Sequence, residues 1–540
     1  MAGSQDSEQG AAPDKLQATM SRPLVAVSDE ARLAQLGHKQ ELERGFSPLA
    51  VGSLVLCLMA TWEALSTVIS SALISGGPPC LVYNYILAFI GSMAIVLSLS
   101  EIASMYPTAG GQYHWVALLA PEKRRAIASW ATGWISVSGQ IILGASCAFA
   151  AGLQLQALIV FNDESYDRPR WQGVLFYWAI LTYAAVVNIF GIKLLPNVNL
   201  MAGALHIAGL IAIMVTLGVM SEKNSAAFVF TDVVNSSGWT SDGVSWLIGM
   251  QSAVYPMLGY DAACHLAEEL PHASRNVPLA MIGGVAVNGV LGFGYTILLL
   301  YSTSPLQALL DTRTGFPFMQ IFLDVTESKA GAIVMSLIPS AIATAGAMAS
   351  LASTSRTLWA FARDDGVPFS RYFDHIDPRF HVPARAVGVV FILQVILGLL
   401  YLGNVTAFNA VLSLAIIGSY LSYVVPIWYM VFSNRATLRR SQYGYFVLPK
   451  VLGYFLNIFA VIWIVLVVVF GMFPFTLPVQ ADNMNYASVV LFGWGLVGVG
   501  YYYLGGGKAT FKVPYQDVPA LDGEQETGSV KEQASQVEVK

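Results

Sequence analysis

Long runs of apolar residues, separated by short polar segments, fill the chain from about residue 47 to residue 505. A window of about 20 residues, the length of a membrane-spanning helix, finds about twelve of these runs. Because a helix satisfies its own backbone hydrogen bonds, each run is expected to cross a membrane as an α-helix. The pattern predicts an all-α polytopic membrane protein with 12 transmembrane helices, at residues 47–73, 82–105, 126–160, 172–194, 197–219, 244–267, 279–303, 327–361, 386–402, 407–432, 448–472 and 486–505.

Ionisable side chains occur inside only a few of the predicted spans. On insertion scales such a group costs about 2.5–3.5 kcal/mol at mid-membrane, so each one is a candidate functional residue. Nearer the span ends, pairing or snorkelling makes a structural role easier. The candidates are Glu63 in span one, His206 in span five, Asp261 and His265 in span six and, nearer span ends, Glu101 and Arg356.

Span six contains a helix-breaking sequence at its centre, where Pro256 and Gly259 lie three residues apart. Proline removes a backbone donor and clashes with the preceding turn, and glycine adopts dihedral angles that other residues resist. The sequence therefore predicts an interrupted helix, which survives in lipid only beside a cavity or packed protein. A kinked structural helix is the alternative, because proline is common in membrane helices.

Span one is the corresponding candidate in the first half of the chain, because it lies five spans before span six. Besides Glu63 it carries the hydroxyl groups of Thr61, Ser66 and Thr67, which can satisfy freed backbone groups or a polar ligand. Interrupted helices at corresponding positions of two halves indicate the binding site of a transporter. The layout of the spans, without a repeat at residue level, favours two inverted repeats of five spans followed by two extra spans.

The ends of two half-helices at such a site carry opposite partial charges. A half-helix N-terminus suits a carboxylate, and the opposing C-terminus suits an ammonium group or another cation. Glu63 would add a full negative charge, and the aromatic faces of Trp62, Tyr255 and Tyr260 suit a protonated or quaternary amine. Taken singly, each of these aromatic side chains is more often a packing residue.

Composition agrees with a membrane protein and excludes several classes of function. Of the 540 residues, 55% are hydrophobic and 11% are charged, against roughly 25% charged in a soluble domain. The net charge of −5 lies mostly in the termini, and no basic stripe with interleaved aromatic residues occurs, so a nucleic-acid partner is set aside. The four cysteines have no metal-ligand spacing, and no cofactor is expected.

The basic residues predict the orientation of the chain. With twelve spans and a cytosolic N-terminus, 23 of the 28 Lys and Arg residues fall on the cytosolic side and 5 on the outer side, as the positive-inside rule requires. The first 45 residues lack the apolar core of a cleavable signal peptide, so span one itself should direct insertion. Both termini are therefore predicted to be cytosolic. Two glycosylation acceptors, Asn235 and Asn404, fall on the outer side.

The chain divides into one membrane domain and two polar tails. Residues 1–45 and 506–540 are the predicted cytosolic tails, rich in Gln, Ser, Glu and Ala and expected to be disordered or loosely helical. Residues 46–505 form the transporter domain, with repeat one at about 46–220, repeat two at about 243–433 and the extra helices at about 448–505. The stretch DEARLAQLGHKQELERGF is either an amphipathic helix or a solvated linker.

Three separated motifs resemble those of a known family. They are SLSEIASMYPTAGGQYHW at 98–115, GYDAACHLAEELPHASRNVPLAM at 259–281 and SRTLWAFARDDGVPFS at 355–370, preceded by WEALS and GGPP. These motifs are similar to the signatures of the fungal amino acid/choline transporter family, a choline and 4-aminobutyrate permease-like branch of the amino acid-polyamine-organocation superfamily. The resemblance covers the chain from about residue 35 to residue 510.

This resemblance implies a LeuT-type fold and a secondary transporter of the plasma membrane. Its implied substrates are choline, 4-aminobutyrate, amino acids or polyamines, and it suggests coupling to protons. Substrate contacts are expected on the unwound parts of spans one and six, here Thr61 to Thr67 and Tyr255 to Asp261. In related proton-coupled carriers a basic side chain fills a cation site between spans one, five and eight, and His206 is the mid-span candidate here. A buried histidine satisfied by a neighbour is the alternative.

Asp261 and His265 are four residues apart and therefore lie on one face of a helix. They either pair and relay a proton or hold the inner half of span six against its neighbours. The spacing of the two residues is compatible with both roles.

A second group of charges lies at the predicted cytosolic ends of the spans. Glu268 and Glu269 stand at a helix end where the helix dipole disfavours anions, so a basic partner such as Arg356 or Arg363 suits them. The hypothesis is a cytosolic gate of ion pairs, to which Glu101 also contributes.

The leading interpretation is proton-driven uptake of a small cationic or zwitterionic amine across the lipid bilayer. A carrier or exporter of a specialised alkaloid-like amine is an alternative within the same class. A transporter-like nutrient sensor is an alternative of another class, although sensors usually have a long structured cytosolic extension. No HExxH motif and no Ser-His-Asp set occur, so an enzyme is not expected.

Overall fold

The computed structural model describes residues 29–163, 165–303, 305–403, 407–435, 438, 443–481 and 483–515. Of the predicted tails, 1–45 and 506–540, residues 1–28 and 516–540 lie outside these described residues. The same holds for the acceptor Asn404.

Every regular element among the described residues is helical. In chain order the α-helices are α1 Asp29–Gln35, α2 Pro48–Met59, α3 Thr61–Met105, α4 Gln112–Leu119, α5 Glu122–Asn162, α6 Arg170–Phe190, α7 Leu195–Met220, α8 Ala226–Phe230, α9 Asp242–Gly249, α10 Gln251–Val254, α11 Ala262–His265, α12 Ala273–Tyr301, α13 Leu306–Leu310, α14 Pro317–Thr326, α15 Lys329–Arg363, α16 Ser370–Phe373, α17 Ala384–Gly403, α18 Ala407–Tyr429, α19 Lys450–Phe470, α20 Ala487–Tyr503 and α21 Gly507–Thr510.

Within the described residues, nine stretches are long and apolar enough to cross a membrane. The first of them, Pro48–Met105, is 58 residues long and comprises α2 and α3, more than twice the roughly 20 residues that one span needs. Helix α20 is shorter, with 17 residues, and the sequence of span six is divided among the short helices α9, α10 and α11. The protein is therefore an all-helical, multi-pass membrane protein.

Two residues interrupt the first long stretch. Ala60 adopts the left-handed conformation, with a φ of 43°, and separates α2 from α3. Gly77 has a φ of 73°, which glycine tolerates, and interrupts α3 where the sequence ends span one. The backbone there is satisfied by the segment between α8 and α9, because Ser236 N donates to Ile74 O at 2.8 Å. The break at Gly77 thus exists where another segment of the chain supplies hydrogen bonds.

Helix α5 packs against both α15 and α18, and α12 packs against α3. Small residues allow this close packing, since a Cβ atom added to Gly139 of α5 would lie 2.8 Å from the backbone of Gly418 in α18. The periphery instead exposes apolar side chains such as Val219, Val451 and Leu504. Such an apolar exterior requires a lipid environment.

Candidate functional site

The breaks of spans one and six lie against each other at the centre of the protein. Span six is interrupted as its sequence predicts: a tight turn at Tyr255–Met257 follows α10, and Gly259 adopts a φ of 94°. The hydroxyl of Thr61, the first residue of α3, donates to the carbonyl oxygen of Pro256 at 2.9 Å. A Cβ atom at Gly259 would lie 2.8 Å from Cγ of Leu58, so glycine permits this close approach.

The break in span one does not fall within Thr61 to Thr67, where unwinding was expected. Those residues are helical, and the break lies one residue earlier, at Ala60. The side chain of Asn288 in α12 bridges it, because its amide nitrogen donates to Leu56 O at 3.3 Å and its oxygen accepts from Thr61 N at 3.4 Å. A tertiary contact therefore stabilises a break that has no proline or glycine of its own.

Glu63 and His206 form a buried pair beside this break. The imidazole Nδ1 of His206 in α7 lies 2.8 Å from Oε1 of Glu63 in α3. Relative exposure is 2% for Glu63 and 0% for His206. Among the described residues, Oε2 of Glu63 and Nε2 of His206 have no hydrogen-bond partner. The pair therefore keeps one acceptor and one ring nitrogen available for a ligand or a proton.

A small cavity of about 30 Å³ adjoins the pair. Its lining comes from both sides of the span-one break and from α5, α15 and the turn of span six. Of the substrate residues predicted from sequence, Glu63, Thr67 and Tyr255 line it. The remaining lining residues are apolar or sulfur-containing: Cys57, Leu58, Met59, Ala60, Ala64, Leu143, Cys147, Ala150, Leu258, Ala343 and Gly346.

The other predicted substrate residues are not among the lining residues of this cavity. The ring of Trp62 packs against Tyr295, with centroids 5.3 Å apart, and lies 6.0 Å from the His206 ring. Ser66 hydrogen-bonds the hydroxyl of Tyr295 at 2.7 Å. The ring of Tyr260 packs against the ring of Tyr423 in α18, with centroids 5.5 Å apart. Gly259 and Asp261 are the neighbours of Tyr260 in the chain. In this conformation these side chains support the walls of the site.

A chain of side-chain hydrogen bonds holds the cavity walls together. Gln154 of α5 donates to the hydroxyl of Thr67 at 2.8 Å and accepts from Ser340 of α15 at 2.9 Å. The hydroxyl of Tyr255 meets that of Ser146 of α5 at 2.8 Å. Gln154 and Asn288 were not predicted from the sequence as site residues. An amide side chain inside an apolar span is costly to bury, and this property could have identified both.

A second polar network surrounds Asp261 and His265 on the inner half of span six. His265 Nε2 lies 3.4 Å from Asp261 Oδ2, so the two groups are within reach of each other, as their spacing predicts. Gln112 of α4 donates to Asp261 at 2.9 Å, and the side-chain nitrogen of Gln140 in α5 lies 2.7 Å from His265 Nε2. The network thus ties span six to two other helices.

The four residues Glu268, Glu269, Arg356 and Arg363 form the inner ion-pair cluster. Nε of Arg356 donates to Glu269 at 2.8 Å, and both terminal nitrogens of Arg363 contact the Glu268 carboxylate at 3.2 Å. This arrangement agrees with the partners that the sequence suggested. Backbone N of Ala109, in the turn before α4, donates to Glu268 at 3.1 Å and adds that turn to the cluster.

Glu101 does not join the inner ion-pair cluster, contrary to the sequence-based hypothesis. It forms a buried ion pair with Arg435 instead. Its second oxygen accepts a hydrogen bond from the backbone N of Leu448 at 2.9 Å. This pairing could not be predicted from the sequence alone, because the two residues lie more than 300 positions apart in the chain.

The N-terminal strap, residues 29–46, packs on the segment that carries the inner ion-pair cluster. Gln40 donates to Glu268 O at 2.7 Å, and Phe46 N donates to Glu269 O at 3.3 Å. Burial, reinforced by the nearby Arg363, lowers the pKa of His38 to about 3, so its imidazole is neutral. Of the two sequence-based interpretations, helix or solvated linker, the structure supports a packed segment that begins with a helix.

Asp364 follows the last residue of α15 and lies beside the same cluster. Its carboxylate accepts a hydrogen bond from the hydroxyl of Tyr113 at 2.8 Å. Burial raises the pKa of Asp364 to about 7, against the effect of the neighbouring Arg363. This carboxyl group therefore titrates near neutral pH.

Two further sequence-based expectations concern modification and metals. The side-chain nitrogen of Asn235 donates hydrogen bonds to Trp239 O at 3.0 Å and to Asp242 at 2.9 Å. A glycan on that nitrogen would displace these hydrogen bonds. Within the described part of the chain, no group of three or more metal-ligating side chains is arranged to hold a metal ion.

Known proteins are similar to this chain over most of its length. A model of the amino acid permease family matches residues 46–496. An uncharacterized amino-acid permease of Schizosaccharomyces pombe is 32% identical, over 90% of this chain and 89% of the relative. The choline transporter of Saccharomyces cerevisiae is 30% identical, over 90% of this chain and 86% of the relative. The amino-acid permease BAT1 of Arabidopsis thaliana is 30% identical, over 88% of this chain and 95% of the relative.

Proposed function

The chain belongs to the amino acid permease family, and from this premise we propose that it is a proton symporter for a small amine. Choline, 4-aminobutyrate and amino acids are the candidate substrates, and the similarity to the yeast choline transporter supports an amine. The proposed location is the plasma membrane, with both termini in the cytosol.

One observation carries the proposal. Glu63 is buried, lines a cavity between two interrupted helices and has an unpaired carboxylate oxygen. A buried charge is costly unless a partner compensates it. A protonated or quaternary amine in the cavity is such a partner.

The proposed architecture has twelve spans in the LeuT-type arrangement. Helices α2 and α3 contain spans one and two, α9 to α11 make up span six, and α20 is the last span. The inverted repeats would cover about residues 46–220 and 243–433, with extra helices at about 448–505. The contact between the breaks of spans one and six supports this layout.

Proton coupling is assigned to the pair of His206 and Glu63. A histidine ring can bind a second proton, and Nε2 of His206 has no hydrogen-bond partner among the described residues. A proton on this ring would create an imidazolium next to the Glu63 carboxylate. The charge of the site would then change with the proton gradient.

The inner ion-pair cluster and the pair of Asp261 and His265 are assigned to a gate. They connect the inner half of span six to α15, α4 and α5. Opening toward the cytosol would separate groups that now pair. The N-terminal strap covers the same segment.

Uptake of labelled choline, 4-aminobutyrate and amino acids by an uptake-deficient yeast tests the proposal. We expect uptake of at least one amine, faster at acidic than at neutral external pH and reduced by a protonophore. Absence of uptake for every compound, with the protein at the cell surface, would contradict the transport function. Uptake that ignores both pH and the protonophore would contradict proton coupling alone.

Replacing His206 by alanine is expected to remove most of the dependence of uptake on external pH, because the proposal assigns the coupled proton to this side chain. Initial rates over a pH series measure this dependence. His375, an exposed histidine, provides the control variant His375→Gln, which should keep the full dependence. A His206→Ala protein with an unaltered pH profile would end the proposal of a proton site here.

A further inference from the structure

Glu63 lies at the end of its helix that favours an anion. Helix α3 begins at Thr61, so the Glu63 carboxylate belongs to the first turn. The N-terminus of a helix carries partial positive charge and free N–H groups. In carriers with interrupted helices, such half-helix N-termini point at the anionic group of the substrate. Here the protein itself supplies an anion at that position.

The rest of the cavity offers little to a second carboxylate. None of the residues found to line it is an arginine, lysine or histidine. The hydroxyl groups of Thr67 and Tyr255 are already engaged, with Gln154 and Ser146 respectively. The nearest basic group, His206, is bound through Nδ1 to Glu63. A substrate carboxylate would therefore meet the like charge of Glu63 in a site of low polarity, and the histidine beside it is already bound to Glu63.

A substrate cation meets the opposite situation. The unpaired Oε2 of Glu63 can accept a charge-assisted hydrogen bond from an ammonium group. The C-terminal end of α2, whose last residues line the cavity, adds partial negative charge. The lining of Leu58, Ala64, Leu143 and Leu258 suits methyl or methylene groups.

We infer that this site selects small organic cations that carry no carboxylate and discriminates against zwitterionic amino acids of the same size. The inference rests on the proposed transport function and narrows its substrate class. The carboxylate of Glu63 takes the place at the helix N-terminus that a substrate carboxylate would otherwise need.

Three matched pairs of compounds test this selectivity: choline and glycine betaine, ethanolamine and glycine, 4-amino-1-butanol and 4-aminobutyrate. Each alcohol is a cation, and each acid is a zwitterion with the same carbon skeleton. Binding to the purified full-length protein in lipid nanodiscs is measured by the ligand-induced shift of its unfolding temperature. Uptake of the same compounds is measured in yeast at one fixed pH. We expect at least one alcohol to bind at least tenfold more tightly than its paired acid.

The two readouts separate this inference from the proposed function. Binding of an alcohol without any uptake would support the inference and contradict transport. Uptake of an acid in preference to its alcohol would overturn the inference and leave transport intact. Absence of binding by every alcohol would also overturn the inference.

A variant removes the charge that the inference invokes. Glu63→Gln should lower the ratio of alcohol to acid affinity at least tenfold. The matched control Glu222→Gln removes one carboxylate at an exposed position outside the cavity and should leave the ratio unchanged. An unaltered ratio in Glu63→Gln would overturn the assignment of selectivity to this residue.

Discussion

Replacement of Glu63 by glutamine is expected to lower amine uptake by about 10- to 100-fold, approaching complete loss. A hydrogen bond to a charged group contributes about 1.5–3 kcal/mol, and each 1.4 kcal/mol corresponds to about a tenfold change in affinity. Glutamine keeps the size of the side chain and removes its charge, so the loss would report the electrostatic contribution. Initial uptake rates over a range of substrate concentrations separate affinity from maximal rate.

Two controls make this result interpretable. Surface expression of Glu63→Gln, measured by biotinylation, should match that of the unmodified protein, and Glu222→Gln should transport normally. The Glu63→Asp variant retains the charge on a shorter side chain and should keep more activity than the glutamine variant. An unchanged affinity in Glu63→Gln would remove this residue from the substrate site.

A second large effect is expected for Arg356→Met. This substitution should lower the free energy of unfolding by about 3–5 kcal/mol, because it leaves Glu269 as an unpaired buried charge. Arg356 is fully buried and Glu269, its partner at 2.8 Å, is almost fully buried. Methionine roughly preserves the volume of the side chain, so packing is conserved. Unfolding followed by tryptophan fluorescence in detergent measures the change.

The double variant Arg356→Met, Glu269→Gln tests the explanation. Because it removes both charges, it should recover a large part of the lost stability. Arg371→Met, at an exposed arginine of α16, should change stability by less than about 0.5 kcal/mol. If the double variant is no more stable than Arg356→Met, the ion pair does not explain the loss.

Local sequence determined the elements of this protein and the interruption of span six. Long apolar runs must be helical in lipid, because only helices satisfy their backbone groups internally. Pro256 and Gly259 predict a break through their own dihedral preferences, and the structure shows a helix break at these residues. Ionisable residues such as Glu63 and His206 could be recognised in the sequence, because they are costly to place inside an apolar span. These properties depend on residue type and near neighbours, so sequence is sufficient.

The break at Ala60 and the partners of the charged residues were decided only by tertiary structure. Alanine does not favour a left-handed conformation, and the conformation of Ala60 is accompanied by the bridge from Asn288, more than 200 residues away. The sequence contains several arginines that could pair with Glu101, and helix packing brings Arg435 next to it.

The composition of the cavity was decided in the same way. Sequence singled out Trp62 and Glu63 together, yet α3 turns Glu63 toward the cavity and packs Trp62 against Tyr295. Sequence therefore determined which residues carry charge in the membrane. The direction in which each side chain points depends on how distant helices pack, and that packing decided which of these residues can meet a substrate.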